Sequence, residues 1–280
     1  MESEIEKTIL MPFCVHNESE ETYHARSKSG EYLSSHMLAV FRKMPYKYKK
    51  MISGEYFEPE KDEYIFGSAA HKLILEGQNA FNETYIVSDG PINERTGKPY
   101  QKNTITYQQW QESQTGEIIT TSEFDEIRKM QKSIKEHPEI SKFLRPEYGK
   151  AEAVVLGEME GVNCQIRMDF FDPQIGIIDL KTCRDIDFFD YDMRNFGYIF
   201  NMAFYRKLMK IKTGVEYPVY MIAVDKTEFH VSGIWHIPPA ELDIAERIND
   251  AAIKRLKECR ETGNYPTGYE KLQIYTFNKN

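Results

Sequence analysis

Over the first half of the chain, apolar residues recur every three or four positions, the spacing of one buried face of an α-helix. Ser34 or Ser35 can cap the first such stretch, and Pro45 ends it. Gly77 stands at the expected stop of the second. The third opens at Ser122-Glu123-Phe124-Asp125, which resembles a capping box. The predicted helices cover about residues 35–44, 67–76 and 122–136, with a short piece that ends at Leu144.

From Glu152 onward the period changes to two, which indicates strands with one buried face. In the strand of residues 162–171, the apolar face carries the even-numbered residues from Val162 to Phe170, and Asp169 lies on the polar face. The other predicted strands cover residues 152–156, 176–182, 217–224 and 229–236, and two further helices cover residues 191–211 and 240–261.

This order of elements predicts an α/β fold in which a mixed central sheet is flanked by helices. Residues 1–31 are polar and lack clear periodicity, so we expect a loosely ordered N-terminal arm. Residues 32–280 would form a single domain. Residues 88–121 are rich in Gln, Thr, Asn and Gly, which indicates an irregular excursion within it.

Composition is that of a globular protein. At 280 residues with 41% hydrophobic positions, the chain can bury a substantial core. It has no run approaching eighteen apolar residues, and its start lacks the features of a secretory signal, so we expect a soluble cytoplasmic protein without a membrane partner. The four cysteines are far apart without CxxC or CxxH spacing, which predicts ordinary buried thiols.

The net charge of −8 opposes a nucleic-acid partner, because phosphate contacts require Lys and Arg. Residues 41–50, however, combine five basic residues and no acidic ones with two tyrosines, the composition of a phosphate-facing patch. A solvated helix end followed by a loop is the alternative interpretation. The basic residues of this segment are Arg42, Lys43, Lys47, Lys49 and Lys50.

The most informative segment is Asp169 followed ten positions later by Asp179-Leu180-Lys181. Asp179 and Lys181 are two apart in a predicted strand, so both project to one face, and Asp169 can reach them from the neighbouring strand. Burying such a charged pair is costly unless partners or a metal compensate. The alternative is an ordinary ion pair at a strand end.

Such a set suits phosphodiester hydrolysis. Asp169 and Asp179 would bind Mg²⁺, with Mn²⁺ as a substitute and the main-chain carbonyl of Leu180 as a further ligand. The metal would polarise the phosphate and acidify a water molecule. Lys181 would orient or deprotonate that water and offset negative charge in the transition state.

The pattern resembles the PD-(D/E)xK nuclease superfamily and, within it, the RecE-like exonucleases of the exodeoxyribonuclease VIII type, which are related to the RecB nuclease domain. The family's Gly-x-x-x-His-x-x-x-x-Glu helix is matched by residues 67–76, which makes His71 a further metal ligand or a partner of one. Without the downstream acids, His71 would be an ordinary boundary histidine. Glu152 matches an acidic position of the family, and Met168 stands where the motif name has proline.

The family's Gln-x-x-x-Tyr pair has Asn201 and Tyr205 as its counterpart here, with a shorter amide side chain in place of Gln. These two residues join Lys181, Asp169, Asp179 and Glu152 in the expected catalytic set. Tyr198, Phe200 and Phe204 on the same helix are interpreted as core aromatics without chemistry. Some relatives hold an iron–sulfur cluster, but Cys14 and Cys259 lack neighbouring cysteines, so none is expected.

The resemblance implies a restriction-endonuclease-like fold and an exodeoxyribonuclease that digests linear double-stranded DNA from DNA ends in the 5′ to 3′ direction. It also implies a ring-shaped homo-oligomer and a single-strand annealing protein as partner in phage-type recombination. Two alternatives stay open, namely an endonuclease or nickase with the same site, and a DNA-binding module whose active site has lapsed.

Overall fold

The structure, a computed structural model, describes residues 11–15, 18–59 and 62–274. In these ranges no helix combines the length and the apolar character that crossing a bilayer requires. The helices are α1 (Glu20–Lys28), α2 (Ser35–Lys43), α3 (Pro45–Ile52), α4 (Asp62–His71), α5 (Gly77–Thr84), α6 (Ile105–Glu112), α7 (Thr121–Glu136), α8 (Phe189–Asn195), α9 (Tyr198–Thr213) and α10 (Pro239–Thr262). The strands are β1 (Cys14–Val15), β2 (Tyr85–Val87), β3 (Ile92–Asn93), β4 (Lys98–Pro99), β5 (Glu117–Ile119), β6 (Lys150–Met159), β7 (Val162–Asp172), β8 (Gly176–Cys183), β9 (Val219–Asp225) and β10 (Ser232–Ile237).

Six strands form the central sheet in the order β1-β6-β7-β8-β9-β10. The strands β6, β7 and β8 make an antiparallel meander, and β10 returns antiparallel to β9. The pair β8 and β9 is parallel, which requires a crossover, and α8 and α9 supply it. This mixed sheet flanked by helices is the fold class that the sequence predicts.

Helices cover both faces of the sheet. On one face α2, α9 and α10 pack against apolar side chains such as Ile177 and Met221. On the other face α4 and α7 pack against residues such as Ile178 and Ile222. Successive residues of β8 and β9 are buried on opposite faces, so apolar residues follow one another in these strands, interrupted in β8 by Asp179 and Lys181.

The long helix predicted over residues 191–211 is wrong in one respect, since the chain makes two helices there. Gly197 separates α8 from α9 and has a left-handed backbone with φ of +71°. Glycine adopts this conformation without strain because it has no Cβ. The break turns the chain so that α9 begins at Tyr198, beside Lys181 of β8.

A helix occupies part of the segment predicted to be a loosely ordered arm. Gln165 of β7 binds α1 at two points, donating to the Tyr23 carbonyl at 2.7 Å and accepting from Arg26 Nε at 3.1 Å. Polar contacts of this kind leave no apolar stripe in the sequence, which is why periodicity did not reveal α1. Residues 1–10 and 16–17 of the predicted arm lie outside the described residues.

Other boundaries also differ from their predictions. Pro45 ends α2 but also begins α3, where its missing N–H costs nothing. The capping box of α7 is formed by Thr120 and Glu123 instead of starting at Ser122. The predicted irregular excursion over residues 88–121 contains the β3–β4 hairpin, α6 and β5, which pairs in parallel with β2.

The helix α4 continues into one π-helical turn, Lys72–Glu76, directly after His71. The Leu73 carbonyl within this wide turn accepts a hydrogen bond of 2.6 Å from Gln131 Nε2 of α7. Turns of this kind occur often at functional sites.

The pairing of β6 with β7 omits one position. Glu152 and Asp169 stand opposite each other but do not pair, and Glu152 has a left-handed backbone with φ of +52°. The alternation of β7 changes at this point, because Met168 is buried against α2 and α9 whereas Phe170 is buried on the side of α4 and α7. The predicted shared face of Met168 and Phe170 is therefore wrong.

The strands β7 and β8 diverge at the same place. Their pairing runs only from Asp172 opposite Gly176 to Phe170 opposite Ile178. The next residues toward the gap are Asp169 and Asp179, so both predicted acids lie at the fork of the sheet.

Candidate metal centre

Asp169 lies at the centre of a cluster of polar groups at this fork. Its Oδ2 atom accepts a hydrogen bond of 2.8 Å from the backbone N–H of Leu180. The same oxygen lies 3.6 Å from His71 Nδ1 and 3.7 Å from Lys181 Nζ. The fold thus brings together residues of α4, β7 and β8 that are far apart in the sequence.

Asp179 and Lys181 lie side by side on β8, the arrangement that their spacing predicts. Lys181 Nζ is 2.6 Å from Asp179 Oδ2 and donates to the Leu180 carbonyl at 3.2 Å. Asp179 is only 4% exposed, and among the described residues its Oδ2 atom has Lys181 as its sole polar partner. A buried carboxylate oxygen with a single partner has capacity for a further ligand.

His71, Glu152 and Asp169 can each direct one ligand atom into a common space, because these atoms all lie within 4.8 Å of one another. His71 also hydrogen-bonds to the main chain of Leu180. Asp179 lies outside this group of three and faces Lys181. Carboxylate and carbonyl oxygens and one imidazole are groups that bind divalent metals, so the residues present fit a divalent cation.

The carboxylate of Glu152 is also bound by an arginine. Arg167 Nε lies 2.6 Å from Glu152 Oε2. On its other side, the Arg167 guanidinium pairs with Glu20 of α1, with Nη1 and Nη2 at 3.2 Å and 3.4 Å from the two carboxylate oxygens. The sequence assigned no role to Glu20 or Arg167, although Arg167 stands two positions before Asp169 and therefore projects to the same side of β7.

One face of α9 borders the centre. Tyr198, Asn201 and Tyr205 share this face because they are three and four positions apart. Tyr205 hydrogen-bonds to the Ser35 side chain and lies near Asp179. Asn201 is half-buried, and helix spacing alone puts it on the same face as the two tyrosines.

Tyr198 packs against the core, as the sequence predicts, and it also borders the centre. Lys181 Nζ lies over its ring, 5.4 Å from the ring centroid. The available signal was its position three residues before Asn201, on the same helix face.

Burial and nearby charges shift the pKa values of the three acids in different directions. Burial raises the pKa of Glu152 to about 8, against the opposing effect of Arg167. Burial likewise raises the pKa of Asp179 to about 7, although Lys181 acts to lower it. For Asp169 burial is also the largest effect, but Lys181, His71 and the Leu180 amide together hold its pKa below the ordinary value.

The two basic groups of the centre are shifted as well. Burial acts to lower the pKa of Lys181, but Asp179 and Asp169 raise it above its ordinary value. Burial lowers the pKa of His71. The centre therefore favours a neutral imidazole, which can bind a metal, beside a protonated lysine, which cannot.

The basic segment of residues 41–50 is less available to a ligand than its composition suggests. Arg42 donates to Asn249 Oδ1 at 2.9 Å and lies 3.8 Å from the centroid of the Phe200 ring. Lys47 is paired with Glu58 at 2.6 Å, and Lys50 is paired with Glu55.

Lys43 and Lys49 are the exposed basic residues of this segment. Lys49 lies over the Tyr265 ring, 5.5 Å from its centroid. The prediction that the segment contacts phosphate therefore depends mainly on these two lysines.

A separate open cleft of about 580 Å³ lies between α7 and the turn that joins β9 to β10. Lys129, His137 and His230 are among its lining residues, and none of the residues of the metal centre is. The volume of this cleft has no bearing on the candidate chemistry.

Comparison with known proteins places the chain in a wider group. A family model described as a PDDEXK-like domain of unknown function (DUF3799) matches residues 34–276. None of the curated proteins that were compared matches the chain. A crystal structure of a protein from Eubacterium rectale, named "Putative exonuclease", is similar over 94% of this chain and 97% of its own, with a TM-score of 0.66 and 15% sequence identity. At that identity the similarity establishes the fold alone.

Proposed function

The chain belongs to the family of PDDEXK-like domains of unknown function matched over residues 34–276, and from this membership we propose that it is a metal-dependent nuclease that hydrolyses phosphodiester bonds of DNA. The observation that carries the proposal is the meeting of Asp169 with His71 and Lys181 within 3.7 Å at the fork of the sheet. Family membership alone would not identify the site. This geometry places the ammonium group of Lys181 beside side chains that can bind a metal.

His71, Glu152 and Asp169 would hold the cation, and the Leu180 carbonyl and Asp179 adjoin them as further oxygen donors. A bound Mg²⁺ or Mn²⁺ supplies Lewis acidity at the scissile phosphate. The remaining chemistry belongs to the side chains around it.

In the metal-free protein, Asp179 and Asp169 raise the pKa of Lys181 above its ordinary value, which favours the ammonium form. An ammonium group at this position would orient the attacking water and offset negative charge that develops on the phosphate. Asp179 and the ring of Tyr198 fix the position of its ammonium group. Of the two roles predicted for Lys181 from the sequence, the geometry supports the first.

The test is digestion of a linear duplex with 5′-phosphate ends in Mg²⁺ or in EDTA. We expect release of nucleotides only with the metal, and a loss of about 100-fold or more in Lys181→Ala, the scale reported for removal of a charge-stabilising group. Lys254→Ala is the matched control, since Lys254 is an exposed lysine on α10. Equal activity of the parent and the Lys181 variant would contradict the proposed role.

The finer proposal is an exonuclease that acts on double-stranded DNA ends, in the 5′ to 3′ direction. Its support is the ordered series of RecE-like positions from His71 to Tyr205 and the name given to the Eubacterium rectale protein. Covalently closed circular DNA should survive incubation with the protein, and its nicking would favour the endonuclease alternative. A homo-oligomeric ring and a single-strand annealing protein as partner belong to the same proposal.

The rival from another class is a DNA-binding module with a lapsed site. The close approach of Asp169, Asp179 and Lys181 opposes this rival, because binding alone needs no such costly buried group of charges. A parent protein that binds Mn²⁺ and DNA but leaves every duplex intact would favour it.

A further inference from the structure

The side chain of Glu152 needs support that its strand does not provide. Its backbone is in the left-handed region, at φ +52°, where residues with a side chain are uncommon and strained. It also lacks the strand pairing that Asp169, opposite, would offer. The contact that holds its carboxylate is the one with Arg167 Nε, at 2.6 Å.

Arg167 is itself held from its far side. Its guanidinium is a planar fork, so a carboxylate that occupies one edge determines where the other edge points. Glu20 occupies the edge formed by Nη1 and Nη2, and the Nε edge then faces Glu152. Glu20 remains ionised, because hydrogen bonding to His24 and the nearby Arg167 charge lower its pKa to about 2.

The helix that carries Glu20 is fastened to the same strand. Gln165, which is fully buried, binds α1 through Tyr23 and Arg26. Gln165, Arg167 and Asp169 are alternate residues of β7, so one row of side chains runs from α1 to the metal centre. The position of Arg167 therefore depends on that of α1 through two neighbouring contacts, that of Gln165 with α1 and that of Glu20 with Arg167.

This helix lies outside the family match, which begins at residue 34. We propose that α1 is a working part of the metal centre, in which Glu20 is a positioning residue that fixes Arg167, and Arg167 in turn fixes Glu152 for the cation. The proposal rests on the proposed function only through the metal site. It adds that cation affinity depends on a carboxylate that is not itself among the candidate ligands.

Loss of the Glu20 carboxylate would weaken cation binding through Arg167. The freed Nη atoms of Arg167 would turn to the Glu152 carboxylate and compete with the cation for it. Substitution of such supporting groups commonly lowers metal affinity by about 10- to 100-fold.

The experiment measures Mn²⁺ binding to the metal-free full chain by calorimetry, without DNA. We expect Glu20→Gln to weaken binding about 10-fold. The matched control is Glu21→Gln, which removes the same charge from the next, exposed residue of α1 and should leave affinity within about twofold of the parent. Circular dichroism of each variant verifies that α1 and the sheet are retained.

A double-mutant cycle separates positioning from a general effect on folding. If Glu20 acts through Arg167, then Glu20→Gln has no further effect on Mn²⁺ affinity once Arg167 is changed to Gln. Complete loss of binding in Arg167→Gln would equally support the proposal, since Arg167 cannot be a ligand. Two additive losses, or a Glu20→Gln variant that binds like Glu21→Gln, would overturn it. A parent that binds no Mn²⁺ would overturn the metal site itself, whereas a parent that binds Mn²⁺ but is matched by Glu20→Gln would overturn only the role of α1.

Discussion

At the scale of single residues, two aspartates of the same centre have opposite electrostatic situations. Asp169 has a backbone N–H donor and two basic neighbours, which outweigh the cost of its burial. Asp179 is buried with Lys181 as its main compensation, and its pKa rises to about 7. Asp179, like Glu152, therefore destabilises the metal-free fold at neutral pH, because its charged form is poorly accommodated.

We predict that Asp179→Asn stabilises the metal-free protein at alkaline pH. The folded pKa of Asp179 is raised above its ordinary 3.8, so the folded state binds this proton more tightly, and its contribution to stability is lost as pH rises from about 4 to about 7. Asn does not ionise, so its contribution to stability does not change with pH. In EDTA the unfolding free energy of the variant should exceed that of the parent by roughly 1–3 kcal/mol at pH 8 and match it near pH 4.

Denaturant unfolding at several pH values measures this difference, and Asp190→Asn, an exposed acid on α8, controls for the change in net charge. Saturating Mg²⁺ should restore the unfolding free energy of the parent at pH 8. If the unfolding free energy of Asp179→Asn falls further below that of the parent as pH rises, the assignment of Asp179 as a destabilising buried acid is contradicted.

Some residues of the centre were predicted from a spacing rule and others from the family resemblance. Asp179 and Lys181 follow strand alternation, whereas His71, Glu152, Asn201 and Tyr205 came from the resemblance to RecE-like exonucleases. Glu20 and Arg167 obey no such rule, because their contact joins a helix and a strand that are far apart in the chain. Their pairing depends on how α1 docks on β7, which only the folded structure specifies.

At the scale of secondary structure, the fork between β7 and β8 creates the centre. Alternation of apolar and polar residues predicted each strand of the meander and the order of the elements. It could not predict that pairing would stop at Phe170 and Ile178, or that Gly197 would divide the helix after β8. Both features depend on tertiary packing, which overrides the local pattern.

Two glycines offer a matched test of how the elements meet. In the interior of α4, a Cβ at Gly67 would meet only Thr182 Oγ1, at 3.8 Å, an ordinary contact. At the start of β8, Gly176 has φ of +135°. A Cβ there would overlap the backbone carbonyl of Pro218, the residue directly before β9. We predict that Gly67→Ala stabilises the protein by about 0.5–1 kcal/mol and that Gly176→Ala destabilises it by about 3 kcal/mol or more.

Chemical denaturation of the two variants measures these changes, with nuclease activity as a second readout. The Gly67 variant should keep its activity, since His71 would stay in place. A large loss of stability in Gly67→Ala would mean that α4 must approach β8 more closely than the structure has it.

At the scale of the whole molecule, the net charge of −8 limits how a DNA substrate can bind. A net negative charge repels DNA at long range, so under the proposed function contacts to phosphate would have to come from a few exposed cations. In the basic segment, Arg42 is instead engaged by Phe200 and Asn249, and joins α2 to α9 and α10. Composition predicted one patch of five basic residues, whereas the structure gives these residues different partners.

We predict that Lys43→Ala and Lys49→Ala each weaken duplex binding and each reduce the slope of log affinity against log salt by about 0.9, the value for one lost phosphate contact. Arg42→Ala should instead lower the unfolding free energy, because it removes a stacked and hydrogen-bonded side chain. Fluorescence anisotropy in Ca²⁺ between about 50 and 200 mM salt, together with thermal unfolding, measures both effects. Unchanged slopes in the lysine variants would exclude this segment as the phosphate contact.

The distance along the chain between His71 and Asp169 also determines when the centre can assemble. The acids of β6, β7 and β8 come together through short hairpins, whereas His71 must close a loop of about a hundred residues to reach them. Contacts of such long range form late on the folding pathway. A cation bound there would therefore lower the unfolding rate and leave the refolding rate nearly unchanged. It would stabilise the folded molecule kinetically and would not nucleate folding.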